Sequence, residues 1–166
     1  MKQKTHIFLK VIDQHKALIY KIVHAYCNNK SFQQDLYQEI ILQLWSSFDK
    51  YDNSYKYSTW IYRIALNTAI SYHRKGWTKE KENMEILEHQ PLIFTNDEDV
   101  HQEKLNLLHQ YLRDLKEIDR ALTLLYLEGM NHDEISKILG ISTSNVGTRL
   151  SRIKQALRNK FNSNNK

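Results

Sequence analysis

The sequence is short of the residues that break helices or cross-link a chain. Its 166 residues include four glycines, one proline and one cysteine. So few Gly and Pro, together with abundant Leu, Ile, Lys and Gln, favour an all-helical chain. The single Cys27 excludes an internal disulfide and fits a reducing cytoplasm.

Long hydrophobic runs and catalytic motifs are also missing. No apolar stretch approaches the ~20 residues that span a bilayer, and Lys10 and Asp13 interrupt the N-terminal apolar residues too soon for a signal peptide. A Gly-rich phosphate loop, a nucleophile elbow and a paired-carboxylate motif are absent. We therefore expect a soluble, cytoplasmic protein with no catalytic residues, no cofactor and no direct membrane insertion.

One pair of residues has the spacing of metal ligands, namely His24 and Cys27. No second ligand pair with fixed spacing follows, so we expect neither a structural zinc nor another metal. A metalloenzyme with its metal at these two residues remains the competing hypothesis, and purified protein without bound metal would exclude it.

Charge is unevenly distributed along the chain, although the net charge is only +5. Residues 1–30 carry six Lys against one acid, whereas residues 79–103 carry eight acids against two Lys. This layout suggests that both ends contact a polyanion and that the middle avoids it.

The first part of the chain predicts three helices. Apolar spacing predicts a helix over residues 6–28. Ser31 and Gln34 form a capping-box pattern that opens a second helix ending near Phe48. Residues 49–57 predict a loop, and Ser58 is the expected cap of a third helix that ends near Lys75. Together these helices predict a compact domain over residues 1–78.

The remainder predicts a linker and a second helical domain. Residues 79–103 lack sustained periodicity and contain the only proline, Pro91. Helical spacing of leucines resumes near Lys104. The predicted fold is therefore an all-α chain of two small helical domains, 1–78 and 104–166, joined by a flexible acidic linker over 79–103.

Residues 131–160 predict a short helix, a tight turn and a longer basic helix. Asn131 and Glu134 form a capping-box pattern, and Gly140 can adopt the left-handed conformation that ends a helix. In the second helix Val146, Leu150 and the apolar residues that follow them define a narrow stripe. The opposite face is polar, and residues 144–166 carry six Lys or Arg and no acid. This pattern is typical of a helix-turn-helix whose second helix enters the DNA major groove. An ordinary helical hairpin with a solvated basic face explains the same pattern.

Three segments together resemble a known family. They are DLYQEIILQLW (35–45), YSTWIYRIALNTAISYHRK (57–75) and the helix-turn-helix at 131–158. They occur in the order and at the separation found in bacterial RNA polymerase sigma factors of the sigma-70 family, and most resemble the small extracytoplasmic-function (ECF) group. The resemblance implies sigma domains 2 and 4 and a protein that binds core RNA polymerase and directs initiation at promoter DNA.

The resemblance assigns a polymerase-binding role to the DLxQE segment. The residues that match it are Asp35, Leu36, Gln38 and Glu39. An acidic, amide-rich helix face beside apolar residues can dock a basic helical hairpin. A solvated helix face is the alternative explanation of the same residues.

The resemblance also assigns minus-10 recognition and melting to the loop and the third helix. Aromatic, amide and basic side chains are suited to capturing a flipped base and its single strand. The candidates that it implies are Asn53, Ser54, Tyr55, Lys56, Arg63, Asn67, Arg74 and Lys75.

The last helix matches the minus-35 reader. Its candidates are Ser144, Asn145, Thr148, Arg149 and Arg152, with Arg expected to pair with guanine and Asn with adenine. Gly147 stands where the family often has Lys or Arg. It either permits close approach to the DNA backbone or is simply tolerated.

Three further expectations concern function. A stand-alone helix-turn-helix regulator is the alternative to a sigma factor, although such a regulator needs neither the DLxQE face nor the aromatic loop. An anti-sigma factor is an expected partner, because a free protein with two DNA-reading domains would bind off-target sites. The acidic linker either lines a polymerase channel built for RNA or is a solvated tether.

Overall fold

The computed structural model describes the backbone of residues 2–75 and 99–164 and the side chains of residues 2–75 and 107–163. The chain divides into two units, Met1–Lys81 and Glu82–Lys166. Regular structure in the described ranges is helical throughout. The predicted all-α class with two helical domains is confirmed.

The first unit consists of three α-helices and one short 3-10 helix. The α-helices are α1 (Lys2–Tyr26), α2 (Lys30–Ser47) and α3 (Tyr57–Arg74), and the 3-10 helix Phe48–Lys50 follows α2 directly. Helix α3 packs against both α1 and α2. The residues between the 3-10 helix and α3 form a loop, as predicted.

The core of the first unit comes from one apolar stripe on each helix. Residues on a helix separated by three or four positions share a face, so each stripe points inward as a unit. Burying such a side chain contributes on the order of 1.5–3 kcal/mol. The most deeply buried members are Ile19, Ile22 and Val23 of α1, Leu36, Ile40 and Leu44 of α2, and Ile61, Ala65 and Leu66 of α3.

Both predicted N-caps in the first unit are wrong. Helix α2 is capped by Asn29, whose Oδ1 accepts the backbone N–H groups of Ser31 at 2.6 Å and Phe32 at 3.4 Å. Ser31 cannot take this role because it already lies inside α2, where its own backbone N–H is one of the free groups that Asn29 satisfies. Helix α3 begins at Tyr57, with Lys56 at the N-cap and no side-chain cap, so Ser58 already lies inside the helix.

The second unit contains four helices in its described part. They are α4 (Asp99–Asp114), α5 (Glu117–Leu127), α6 (His132–Leu139) and α7 (Thr143–Asn164). Helix α4 begins five residues before the predicted position at Lys104. Only one apolar residue, Val100, lies in that extra turn, so periodicity could not detect it. The rest of the predicted linker, residues 79–98, lies outside the described residues.

Side chains from all four helices form the core of the second unit. The Tyr111 hydroxyl donates to the carbonyl of Ile153 at 2.9 Å, which joins α4 to α7. The buried Arg120 donates through Nη2 to the carbonyls of Arg113 and Leu115 at the end of α4. These bonds satisfy carbonyls that the end of a helix leaves unpaired. The apolar members of this core include Leu122, Leu125, Ile135, Ile138, Val146, Leu150 and Ile153.

The turn between α6 and α7 forms as predicted. Asn131 accepts from the Glu134 backbone N–H at 2.9 Å, and Glu134 Oε2 accepts from the Asn131 N–H at 2.9 Å. Gly140 has φ 67° and ψ 33°, a left-handed conformation that a residue with a Cβ adopts only with strain. The Ser136 hydroxyl then donates to the carbonyl of Ile141 and fixes the corner. The capping box and the glycine C-cap are both confirmed.

None of the helices in the described ranges has the combination of length and apolar character that crossing a membrane requires. In the same ranges no three His, Cys, Asp or Glu side chains come together as a metal site. His24 hydrogen-bonds through Nδ1 to the carbonyl of Tyr20 in its own helix, and Cys27 is buried.

Candidate nucleic-acid interface

Helix α7 has one buried face and one exposed face. Val146, Leu150 and Ile153 are buried against the rest of the second unit. The opposite side is polar and basic, because every exposed position there carries a hydroxyl, an amide or a guanidinium. Its exposed members are Ser144, Thr148, Ser151, Arg152 and Gln155. This surface, which we call the α7 outer face, has the chemistry that contacts bases and phosphates in a major groove.

The first turn of α7 is fixed by side-chain hydrogen bonds. Ser142 Oγ accepts from the backbone N–H of Asn145 at 3.1 Å, which caps the helix. The Thr148 hydroxyl donates to the carbonyl of Ser144 at 3.0 Å, so its proton is not available to a base. Thr148 therefore offers the outer face an acceptor oxygen and a methyl group.

Arg149 does not lie with the exposed candidates. Its Nη1 forms a 2.6 Å ion pair with Oδ1 of Asp119 in α5, and its Nε donates to Oδ1 of Asn145 at 3.1 Å. Asn145 and Arg149 are half-buried, whereas Arg152 is exposed. The five predicted minus-35 residues thus separate into three on the outer face and two at its edge, against α5.

Gly147 lies at the contact between α7 and α6. A Cβ built on it would stand 3.6 Å from Nδ1 and 3.7 Å from Cε1 of His132. These are ordinary van der Waals distances to a side chain of the same unit. This position favours simple tolerance over the alternative that the glycine admits the DNA backbone.

The loop between the 3-10 helix and α3 is built by its own side chains. Asp52 Oδ1 accepts both the backbone N–H and the hydroxyl of Ser54, at 3.0 and 2.5 Å. Hydrogen bonds from the hydroxyl and the N–H of Ser54 hold the pKa of Asp52 below its usual value. Asn53 at the tip has φ 60°, and the Tyr51 hydroxyl donates to the carbonyl of Tyr55. Tyr51 and Asp52 thus position the loop, although neither belongs to the predicted set.

An aromatic cluster supports this loop from below. Tyr51 stacks on Tyr57 with ring centroids 4.4 Å apart, and Trp60 lies 5.4 Å from Tyr51 and 6.0 Å from Phe48. Offset and tilted ring pairs of this kind each add about 0.5–1.5 kcal/mol beyond the area that they bury. Trp60 is therefore part of the packed cluster. The loop side chains Asn53, Ser54, Tyr55 and Lys56 are all exposed above it.

Helix α3 continues the exposed surface beyond the loop. Arg63, Asn67 and Arg74 are exposed and separated by four and seven positions, so they lie along one side of the helix, with exposed Lys75 just after its end. We call these four residues the α3 stripe. It combines cations that bind phosphates with one amide that can contact a base edge.

Helix α2 exposes a different kind of surface. Asp35 and Gln38 are exposed, and Glu39 is half-buried and accepts from Gln43 Nε2 at 2.9 Å. Leu36, however, has 0 % exposure and packs in the core. A side chain with no accessible surface cannot touch another protein, so its assignment as a polymerase contact is wrong.

An apolar groove lies beside these polar residues, between α1 and α2. Its volume is about 380 Å³, and Leu42 in its wall is 55 % exposed. Residues from both helices line it, namely Phe8, Tyr37, Gln38, Ile41, Leu42 and Trp45. Of these lining residues only Gln38 belongs to the predicted polymerase-binding set. The spacing of Tyr37, Ile41 and Trp45 at four positions is the signal in the sequence for a second apolar stripe on α2.

Family comparisons assign both units. A model of Sigma-70 region 2 matches residues 11–78, and a model of Sigma-70, region 4 matches residues 105–157. The ECF RNA polymerase sigma factor SigM of Bacillus subtilis is 30% identical over 87% of this chain and 88% of its own length. The chain belongs to the sigma-70 family.

Other relatives place this sigma-70 protein in the ECF group. The ECF RNA polymerase sigma factor SigW of Bacillus subtilis is 28% identical to this chain, and the match covers 91% of this chain and 87% of SigW. Among solved structures, CnrH in complex with the cytosolic domain of CnrY matches with a TM-score of 0.67 and 18% identity, over 96% of this chain and 90% of that chain. The sigma factor RpoE in complex with the anti-sigma factor NepR from Bartonella quintana matches with a TM-score of 0.68 and 17% identity, over 96% of both chains. At these identities the structural matches establish a shared fold.

Proposed function

We propose that this protein is an RNA polymerase sigma factor of the ECF type, which binds core RNA polymerase and directs initiation at promoters with minus-35 and minus-10 elements. One observation carries the proposal: the region 2 and region 4 matches fall in order, one on each unit of the chain. A stand-alone regulator would need only the second unit.

The proposed division of labour follows the two units. Residues 1–78 form sigma domain 2, residues 79–103 a linker and residues 104–166 sigma domain 4. Domain 2 binds core polymerase and captures melted minus-10 DNA, and domain 4 holds the duplex minus-35 element. The protein has no catalytic role of its own in this scheme, and it acts in the cytoplasm, where the polymerase works.

Domain 2 would meet the polymerase through helix α2. Asp35, Gln38 and Glu39 offer carboxylates and an amide, and the apolar groove with its exposed Leu42 lies next to Gln38. A polar rim beside an apolar pocket is the usual composition of a specific protein interface. The negative charges would set the orientation of a basic partner helix, and the groove would supply buried apolar area.

The loop and the α3 stripe would capture the non-template strand. Asn53 and Tyr55 are exposed at the tip of a loop whose conformation is already fixed, so little ordering entropy is lost when a base binds. Tyr55 can stack on a base, and Asn53 and Lys56 can contact its edge and its phosphate. Arg63, Arg74 and Lys75 would hold the backbone, while Asn67 would contact a base.

The α7 outer face would read the minus-35 element. Ser144, Thr148 and Arg152 point away from the core of the second unit and are exposed. Their position on the second helix of a helix-turn-helix is the one that enters the major groove. Arg152, with a planar guanidinium, has the geometry for a bidentate contact to guanine.

An anti-sigma factor is a proposed partner. CnrH and RpoE, two proteins with the same fold, were solved in complex with CnrY and with the anti-sigma factor NepR. The exposed apolar groove on α2 gives such a partner a surface in this chain that it could cover while the protein is inactive.

Run-off transcription tests the function directly. Purified protein and bacterial core polymerase are incubated with a library of templates randomised over the minus-35 and minus-10 elements, and transcripts are sequenced. We expect initiation from a restricted set of templates only when protein and core are both present. Gln38→Ala, on the exposed surface of α2, should lower initiation because it weakens binding to core polymerase. Gln14→Ala, at an exposed position of α1, is the control and should initiate like the wild type.

Two outcomes would contradict the proposal. Initiation that is no more selective than with core polymerase alone would exclude a sigma function. Tight binding to a duplex site without any effect on core polymerase would instead support the stand-alone regulator.

A further inference from the structure

Arg149 is held by hydrogen bonds on two sides, and this arrangement joins two helices of the second unit. Nη1 donates to Asp119 Oδ1 at 2.6 Å, and Nε donates to Asn145 Oδ1 at 3.1 Å. Asp119 belongs to α5, whereas Asn145 and Arg149 lie one turn apart on α7. The side chains of Arg149 and Asp119 are only 33% and 22% exposed, so solvent screens their ion pair less than it would a surface pair.

The contact fixes which end of the Asn145 amide faces Arg149. A guanidinium has donors and no acceptor. The atom of Asn145 that meets Arg149 Nε must therefore be the oxygen, since the NH₂ group would place donor against donor. The amide nitrogen, with two N–H groups, is left at the other end of the side chain.

Asn145 lies where a recognition helix contacts base edges. It is in the first turn of α7, and its backbone N–H is held by Ser142 Oγ at 3.1 Å. The N-terminal residues of such a helix are the ones that reach bases in the major groove. Its side-chain orientation therefore bears directly on which base is accepted.

We infer that Asp119 is a positioning residue for the minus-35 element, because through Arg149 it orients Asn145 to donate to a base acceptor. A free asparagine grips adenine with both its oxygen and its nitrogen, but here the oxygen is already engaged. The donor end fits any major-groove acceptor, namely N7 of adenine or guanine, O6 of guanine or O4 of thymine, so the bidentate preference for adenine is lost. The bidentate pairing of Asn145 with adenine, expected from the sequence, would then give way to a single donated hydrogen bond. This inference rests on the proposed sigma function.

The same bonds restrict Arg149 itself. Nε and Nη1 each already donate a hydrogen bond, and Nη2 is the nitrogen that keeps both of its N–H groups. A bidentate contact to guanine uses two neighbouring nitrogens, and each such pair in Arg149 includes one that is already bonded. Arg152, which is exposed on the outer face, takes that role instead. Arg149 acts through Asn145.

The arrangement can be tested in the free protein, without DNA or polymerase. In the wild type, the Arg149 Nε–H should give a discrete, slowly exchanging signal in ¹⁵N-correlated NMR spectra. Asp119→Ala should broaden or remove this signal. Asp133→Ala is the matched control, since it removes another first-turn carboxylate of the same unit, paired with Lys137 and not with Arg149. An Arg149 signal that Asp119→Ala leaves unchanged would overturn the arrangement.

Its role in base choice is tested by selection with holoenzyme from a library randomised over the minus-35 element. Asn145→Ala identifies the base pair that Asn145 contacts, because preference at that position should disappear. At that position, Asp119→Ala and Arg149→Met should each raise the ratio of adenine to guanine or thymine by about tenfold, because the amide oxygen is released. Preferences elsewhere in the element should be retained, and Asp133→Ala should reproduce the wild-type profile.

The outcomes separate this inference from the proposed function. If the wild type selects promoters and the two variants only lower the yield without changing base preference, Asp119 is structural and the inference is wrong. If the wild type selects nothing, the proposed function fails, and the assignment to base choice fails with it. Should Asp119→Ala not fold, Arg149→Met decides the matter alone, because it leaves the first turn of α5 intact.

Discussion

Two arginines of α7 differ in their roles because only one of them is already paired within the protein. Arg152 is exposed on the α7 outer face, while Arg149, three positions earlier, is paired with Asp119. Removing the exposed arginine would take away only its proposed contact with DNA. Removing the paired one also leaves a half-buried carboxylate without its partner, which is the more destabilising change.

Gly147 is a residue whose replacement should stabilise the fold. A Cβ would meet His132 at 3.6 Å, an ordinary contact, and the backbone there is helical. Alanine in a helix interior is favoured over glycine by about 0.5–1 kcal/mol. We therefore expect Gly147→Ala to raise the free energy of unfolding by about that amount, measured by urea denaturation. A loss of stability would show that His132 cannot accommodate the methyl group, and His132→Ala combined with Gly147→Ala would identify that cause.

Tyr72 should make stability depend on alkaline pH. Burial, followed by the nearby Cys27 and Asp35, raises the pKa of Tyr72 to about 12. The ordinary value in an unfolded chain is about 10, so above that pH the unfolded state loses a proton that the folded state keeps. The contribution of the Tyr72 hydroxyl to the free energy of unfolding is therefore complete below pH 10 and is lost as the pH rises towards 12.

The measurement compares wild type with Tyr72→Phe. We expect the difference in unfolding free energy between the two to shift in favour of Tyr72→Phe as the pH rises from about 10 towards about 12, in urea titrations at constant salt. A difference that does not change with pH would mean that the hydroxyl is not held in its neutral form.

At the scale of single elements, α2 has two faces in different environments. Leu36 points into the core with 0 % exposure, whereas Gln38 lies on the exposed side and lines the apolar groove. Two residues of one motif, two positions apart, thus differ in that one is buried for folding and the other is available for the proposed polymerase contact. The alternation follows from the 100° rotation between successive residues of a helix.

Paired substitutions in α2 should separate these roles. Leu36→Ala should lower the free energy of unfolding by about 2–5 kcal/mol, because it leaves a cavity in a packed core. Gln38→Ala should change stability by less than about 0.5 kcal/mol and should weaken binding to core polymerase in a fluorescence titration. If Gln38→Ala instead destabilised the protein and bound normally, the assignment of the exposed face would be wrong.

The loop before α3 is a second element whose shape is set internally. The hydroxyl of Tyr51 holds the carbonyl of Tyr55, and its ring stacks on Tyr57. Tyr51→Phe keeps the stack and removes the hydrogen bond, whose net value is about 0.5–1.5 kcal/mol. We expect promoter melting, measured by permanganate reactivity of minus-10 thymines, to fall by about 2- to 10-fold.

Tyr57→Phe is the matched control for the loop, because it removes a hydroxyl from the same stacked pair and not the bond to Tyr55. Duplex binding to the minus-35 element should be the same in both variants. Equal melting by Tyr51→Phe and wild type would show that the loop does not need this bond.

At the scale of the whole molecule, the two units would contribute different kinds of binding under the proposed function. The α3 stripe would supply cations for phosphates, and the α7 outer face would supply hydroxyls and Arg152 for base edges. Phosphate contacts release counterions and make affinity depend on salt, whereas base contacts carry the sequence information. Both kinds are needed if one polymerase is to bind tightly and start at a defined position.

Salt dependence should identify the phosphate contacts. We expect Arg63→Ala and Arg74→Ala each to reduce the slope of log affinity against log salt by about one for holoenzyme on promoter DNA. Asn67→Ala, on the same side of α3 and without charge, should lower affinity and leave the slope unchanged. An unchanged slope in both arginine variants would place the α3 stripe away from the DNA backbone.

The sequence by itself determined the features that depend on neighbours within one turn. Helical periodicity predicted the buried stripes. Asn131 and Glu134 predicted the start of α6, and Gly140 predicted the turn before α7, because capping and left-handed backbone are local properties. The exposed α7 outer face followed from the same spacing. The local pattern failed at the start of α2, where Asn29 and not the predicted Ser31 is the N-cap.

Only the tertiary structure decided how side chains of different helices meet. Arg149 was expected to contact DNA, but Asp119, thirty positions earlier, holds it at the edge of α7. Leu36 belongs to a family motif for polymerase binding, yet packing against the other helices buries it completely. Periodicity gives the face on which a residue lies, but it carries no information about which residue of another helix will lie opposite. That pairing depends on how the helices pack, and it sets which of the predicted residues remain available to DNA and to the polymerase.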